Sequence, residues 1–178
     1  WSMDNIYNAK SGDVFFAASD VGWVVGHSYI VYGPLMNGCT TIVYEGKPVR
    51  TPNPAAFWRI VDEYKVNVLF SAPTAFRAIR REDPKGELIK NYNLDSLKAI
   101  FVAGERCDSE TLKWIMKVTK KIVVDNWWQT ETGWAIVANP LRLEEMPVKP
   151  GSPTKPMPGF NLKVLDENGK ELRKKSIY

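Results

Sequence analysis

Between residues 66 and 125 one pattern recurs: apolar run, amphipathic stretch, apolar run, amphipathic stretch, apolar run. VNVLFSAP (66–73), KAIFVAGE (98–105) and KIVVDNW (121–127) are short and rich in apolar and β-branched residues, as strands buried on both faces are. TAFRAIRRED (74–83) is helical in pattern until Pro84. Asp108 or Ser109 can cap a second helix, which carries Leu112, Ile115 and Met116. Strands and helices alternating at about 30 residues per unit predict right-handed crossovers and a parallel sheet covered by helices. The predicted fold class is therefore α/β, a parallel sheet with flanking helices.

Further elements extend this frame. VFFAA (14–18) reads as a strand followed by a loop at Ser19 to Gly22, and TTIVYEG (40–46) as another strand. Asn53-Pro54 offers a helix cap with proline at the first helical position, and Phe57, Ile60, Val61 and Tyr64 follow at helical spacing. Beyond Asn139 the character changes. PVKPGSPTKPMPG (147–159) holds five of the twelve prolines and has no periodicity. FNLKVLDENGKEL (160–172) then alternates, with Asn168-Gly169 suited to a type I′ turn. Residues 1–139 are thus predicted to be an α/β unit, and 140–178 a proline-rich connection leading into the first hairpin of an antiparallel β unit.

Several function classes recede on composition. The 24 Lys and Arg are scattered among 20 Asp and Glu, whereas a nucleic-acid surface needs clustered basic charge. Only Arg173-Lys174-Lys175 is a tight basic run, and it reads as a solvated tail. Cys39 and Cys107 follow no metal-ligand spacing, and His27 is the single histidine, so a transition-metal site is not expected. No run of about 18 apolar residues is present to span a membrane. Neither WSMDNIYNAKSGD at the start nor RKKSIY at the end reads as a domain edge, so an excised piece is expected.

In an open parallel sheet, ligands bind beyond the carboxyl ends of the strands. Three unusual segments fall there: SAPTA, AGER and DNWWQTETG (125–133). Gly104 permits either an ordinary turn or close backbone approach to a flat ligand. Trp127 and Trp128 are adjacent, so in extended chain they point to opposite sides, one inward and one along a pocket. Gln129, Thr130 and Thr132 supply neutral hydrogen-bonding groups. Glu131 is the lone carboxylate among them, either a solvated loop residue or a ligand for a hard cation such as Mg²⁺.

DNWWQTETG, together with SDVGWVVGHSY, YGPLMNGCTTIVYEG, SAPTAFRAIR, VAGER and GSPTKPMPGFNLKVLDENG, resembles the adenylate-forming superfamily. Within it the chain is similar to the acetyl- and propionyl-CoA synthetase branch along nearly its whole length. The resemblance implies part of a large N-terminal synthetase domain, and an ATP-dependent reaction that joins a carboxylate to AMP and then transfers the acyl group to coenzyme A. By that resemblance Gly104, Glu105 and Arg106 lie along the adenine, although the common family residue at the third place is proline. Asp125, Asn126, Trp127, Trp128 and Gln129 surround the base, Thr130 contacts the α-phosphate, and Glu131 is the Mg²⁺-associated carboxylate. Trp128 closes the acyl pocket, with Trp23, Val24 and Val25 as its other wall. Ala103 stands where acetate-preferring members have valine, which implies room for propionate. His27 matches a family histidine, for which a structural bond to the nearby loop is preferred over proton transfer, since the acid is already ionised at neutral pH.

The resemblance also implies what lies outside residues 1–178: a glycine-, serine- and threonine-rich phosphate loop upstream, and a ribose-binding aspartate, a hinge and an adenylation lysine downstream. Its implied setting is the cytoplasm, or the mitochondrial matrix of a eukaryote, with ATP, a short acid and coenzyme A as its small-molecule partners. A non-catalytic nucleotide-binding module and a different adenylate-forming ligase remain the competing readings.

Overall fold

Strands apolar on both sides need cover on both faces, and they receive it here. The computed structural model of the chain describes residues 1–144 and 146–172, so the basic run at 173–175 lies outside the described residues. β1 (Val14–Ala18), β2 (Thr40–Thr41), β3 (Val68–Ser71), β4 (Ala99–Val102) and β5 (Ile122–Asp125) form one sheet in the order β2-β1-β3-β4-β5. Every neighbouring pair is parallel, as the α/β pattern predicts.

Side chains alternate across the sheet with the period of two that strands impose. Phe16, Leu69, Ile100, Val102 and Val123 pack under α4 (Ala56–Glu63), α5 (Pro73–Glu82) and α6 (Ser109–Thr119). Phe15, Ala17, Val68, Phe70, Phe101 and Val124 face the other way. They meet Met3 of α1 (Ser2–Asn5), then Ile6 and Tyr7, and Tyr29 and Ile30 of a helical segment between β1 and β2. Each such aromatic or aliphatic side chain, fully buried, contributes about 1.5–3 kcal/mol.

That second helical segment is absent from the sequence expectation. It runs as α2 (Val24–Gly26), a π-helical stretch His27–Tyr32, and α3 (Gly33–Met36). Two close approaches fix its glycines. A Cβ at Gly26 would lie 2.4 Å from the Val21 Cα, and one at Gly33 would lie 2.3 Å from the Ser28 carbonyl oxygen.

Other expectations are corrected locally. TTIVYEG pairs as a strand only at Thr40–Thr41. The chain then folds back so that the Tyr44 ring packs edge-on to Phe16 and Phe57, its hydroxyl donating to the carbonyls of Lys47 and Thr51. Aromatic burial outweighs a ladder at this sheet edge. Asn53 accepts from the Ala55 N–H at 2.9 Å in a tight turn, and α4 begins only at Ala56, leaving Tyr64 exposed past its end. Asn168-Gly169 does not form a type I′ turn, because only Gly169 has left-handed backbone (φ 79°). Asp166 and Lys170 close a three-residue loop with a glycine bulge, pinned by the Asp166 carboxylate accepting from the N–H groups of Asn168 and Lys170. Upstream, β6 (Val137–Ala138) pairs antiparallel with β7 (Lys155–Pro156), a ladder that crosses residue 139. Among the described residues no helix is long and apolar enough to cross a membrane.

Candidate active site at the strand ends

Sheet register brings the three loops together. Ser71 pairs with Val102, and Val102 with Asp125, so β3, β4 and β5 end in one row. The ladder runs one bond further on each side, from the Ala103 N–H to the Ser71 carbonyl and from the Asn126 N–H to the Val102 carbonyl. Ala72, Ala103 and Asn126 therefore leave the sheet side by side.

Two cavities open at this edge. The first, of about 380 Å³, is lined by Trp23, Val24, Val25, Ala103 and Trp128, all the residues expected for an acyl pocket. Phe70, Ser71, Ala72 and Ser19 also line it. Ser71 and Ala72 belong to the SAPTA segment expected at this edge, whereas Ser19 and Phe70 are not singled out in the sequence, although Phe70 sits on the sheet face that the period of two assigns to this side. The second cavity, of about 500 Å³, is lined by Gly104, Glu105, Arg106, Asp125, Asn126, Trp127 and Trp128. Gly151 and Pro153 of the proline-rich stretch close it. Gly104 and Trp128 line both cavities, while Gln129 and Thr130 line the first.

The two indoles separate as adjacent residues in extended chain must. Trp127 is 43% exposed, and its backbone pairs with Val137 to carry the chain into a hairpin. Trp128 turns inward onto Tyr29 (centroids 5.5 Å apart) and Phe70 (6.4 Å). The tip is held by Thr132, whose hydroxyl donates to the Gln129 and Trp134 carbonyls. Ser28 of the π-helical stretch donates to the Gly133 carbonyl at 2.8 Å, tying the two walls together. The loop bond expected of His27 is thus made by its neighbour: His27 is exposed, its ring 6.2 Å from that of Tyr32.

Thr130 and Glu131 are exposed at the tip of that hairpin. Glu131 lies outside the lining of both cavities, and among the described residues it has no ion-pair partner. No group of three or more His, Cys, Asp or Glu that could hold a metal ion occurs among the described residues. A lone free carboxylate fits a cation bound mostly through phosphates and water.

Gly104 has φ +98°, a conformation that side chains rarely adopt, and open space where a Cβ would stand. After it, the Glu105 carboxylate turns away to accept from the Thr74 N–H at 2.6 Å and from the Thr74 hydroxyl, at the start of α5. Arg77, one turn along α5, reaches the same carboxylate at 3.1 Å, the Arg106 carbonyl at 2.8 Å and Asp108 at 3.0 Å. Of the two candidate caps, Asp108 is the one that caps α6. The Thr111 N–H, then Arg77, hold its carboxyl down to about 2 against a smaller opposing effect of burial. Burial pushes the Cys107 thiol up to about 12, with the Asp125 carboxylate adding to it, so this cysteine is not a nucleophile at neutral pH.

Burial also pushes Asp125 up to about 6, opposed in part by an N–H of Asn126. Above pH 6 the folded chain carries a buried charge that the unfolded chain carries in water. This cost is relieved as pH falls from 6 toward the ordinary value near 4, so Asp125 favours the folded state more at pH 4 than at pH 7. Carboxyl-detected NMR titration is expected to show Asp125 protonating near pH 6; a midpoint near 4 would contradict the burial described here.

The strand ends of this parallel α/β sheet thus carry a mostly apolar cavity beside a larger one lined by two carboxylates, a guanidinium and an amide. Residues 1–176 match the model of the AMP-binding enzymes, and the chain belongs to that family. It is 52% identical over 178 residues to mouse (Mus musculus) "Acyl-CoA synthetase short-chain family member 3, mitochondrial", covering 99% of this chain and 26% of that protein. It is 49% identical over 166 residues to the "Propionate--CoA ligase" of Salmonella typhimurium, covering 93% of this chain and 26% of the relative. The chain thus spans about a quarter of the length of these curated relatives.

Proposed function

We propose that the chain is the substrate-facing part of an ATP-dependent short-chain acyl-CoA synthetase. The observation that carries this reading is the meeting of the two cavities at Gly104 and Trp128. A reaction that joins a short acid to a nucleotide needs an apolar site and a base site sharing a border, where the carboxylate meets the phosphate. Trp23, Val24, Val25, Ala103 and Trp128 enclose the acid. Gly104, Glu105, Arg106, Asp125, Asn126 and Trp127 surround the adenine, with the backbone of 104–106 against one face.

The acid's carboxylate oxygen attacks the α-phosphorus of ATP, pyrophosphate leaves, and the acyl-AMP is then opened by the thiolate of coenzyme A with release of AMP. Thr130, two residues past Trp128 on the lining of the first cavity, is the residue to donate to an α-phosphate oxygen as charge builds there, and Gln129 is kept with the residues around the base. Mg²⁺, when bound, neutralises phosphate charge, and Glu131 is the residue to hold it. Ala103 leaves room for a third carbon, so propionate is expected to serve at least as well as acetate; the name of the Salmonella relative supports this.

The test is acid-dependent pyrophosphate release and acyl-CoA formation by the full-length polypeptide carrying this chain. Propionate-independent nucleotide binding with no such release would favour a binding module. Residues 1–178 alone are expected to show no turnover, because the proposed phosphate loop and adenylation lysine lie elsewhere. Titration calorimetry of that piece with AMP should show weak, saturable heat. Detectable propionyl-CoA from the piece alone would overturn the division of labour.

A further inference from the structure

We propose that Arg77 is a positioning residue for the nucleotide: it holds the 104–106 backbone in the shape that forms one wall of the second cavity. This rests on the nucleotide reading of that cavity. Arg77 does not line either cavity. Its guanidinium instead joins three things that must keep register: the Glu105 carboxylate, the Arg106 carbonyl and the Asp108 cap of α6. Glu105 in turn is fastened to Thr74 at the first turn of α5. One side chain thus ties the helix after β3 to the loop after β4 and to the helix that follows it.

The tie is needed because the loop has little else to define it. Gly104 has φ +98° with nothing within 4 Å of its Cβ position, and residues 104–106 are all exposed. An exposed loop hinged on glycine samples many shapes, and each must be given up before a flat ligand can lie along its backbone. The ion pairs themselves are half-exposed, and pairs of that kind add little to folding stability. Their value lies in geometry: a planar guanidinium with five donors serves a carbonyl and two carboxylates at once, which an ammonium cannot do. Arg77 carries its charge at any working pH, and the hydrogen bond to Asp108, then Glu105, raises its pKa further.

The experiment uses the full-length polypeptide and compares wild type with Arg77→Met, Arg77→Lys and Asp108→Asn. Arg77→Met is expected to raise KM for ATP about tenfold while KM for propionate and kcat stay within about twofold. Amide hydrogen exchange at residues 104–107 should quicken by a similar factor. Lysine restores charge without the fork, so Arg77→Lys is expected to fall between, near threefold; it carries the comparison if the methionine variant does not fold. Asp108→Asn keeps a cap and loses one partner, and should give a smaller rise. A merely structural role would lower the melting temperature and leave the ATP-to-propionate KM ratio unchanged, which overturns the proposal, as does unaltered exchange in the loop. A wild-type enzyme that binds no AMP overturns the nucleotide reading and the role built on it, even where Arg77→Met loosens the loop.

Discussion

Replacing Trp128 with glycine in the full-length polypeptide is expected to reverse its preference between short and longer acids. The indole packs on Tyr29 and Phe70 and forms part of the wall of a cavity of only about 380 Å³. Without it the cavity gains the volume of a bicyclic ring, enough for three more methylenes of acid. One methylene in an apolar pocket is worth about 1–3 kcal/mol, so the ratio of kcat/KM for hexanoate over propionate should rise by at least about 100-fold. Propionate itself should become a poorer substrate, since it no longer fills the site. Trp128 is only partly buried, so the loss of stability should fall below the roughly 3–5 kcal/mol typical of a core Trp truncation, and a melting curve checks that the fold survives. An unchanged chain-length ratio would remove Trp128 from the acid site.

The second large effect is expected at Gly26, where alanine should be far more damaging than alanine at Gly22. A Cβ on Gly26 would meet the Cα, carbonyl carbon and oxygen of Val21, all within 2.6 Å. Backbone cannot swing aside as a side chain can, so either α2 or the loop before it must move. Overpacking of this kind costs about 1–3 kcal/mol, occasionally more. That loop leads directly into Trp23 on the wall of the first cavity, so under the proposed function activity should fall with stability. At Gly22 the nearest atom is the Asp20 carboxylate oxygen at 3.1 Å, the end of a flexible side chain on an exposed loop. Thermal midpoints of the two variants make the comparison; equal shifts would mean that the close approach at Gly26 is relieved at no cost.

Much of the frame was legible because it is written locally. β1, β3, β4 and β5 are apolar runs, α5 occupies the helical pattern of 74–83 and starts one residue earlier on Pro73, and α6 follows one of its two candidate caps, Asp108, whose carboxylate accepts from the Thr111 N–H. Parallel topology follows from their alternation, and the location of the cavities follows from the strand ends. The helical segment from Val24 to Met36 escaped for a physical reason. Its middle is π-helical, which erases the 3.6-residue period, and its glycines at 26 and 33 are poor helix formers whose need, set by Val21 and Ser28, shows only in the fold. The shortening of TTIVYEG depends on where Tyr44 finds partners, far along the chain at Phe57 and Thr51. Arg77 escaped for a similar reason. In sequence it is one charge in a helical stretch, and its partners lie 28–31 residues downstream in the next βα unit. Only the parallel register of β3 and β4, which sets α5 beside the loop after β4, makes that meeting foreseeable.

Gly104 and Trp128 each face both cavities, and this shared border has a thermodynamic consequence. If an acid in one cavity shifts the indole, the nucleotide next door feels the shift, and by reciprocity the nucleotide must alter the affinity for the acid by the same factor. Under the proposed function, acid selectivity and nucleotide affinity are therefore not separable traits of this fold. A lineage adapting Trp128 to a longer acid would inherit a changed appetite for ATP, to be restored by compensation elsewhere.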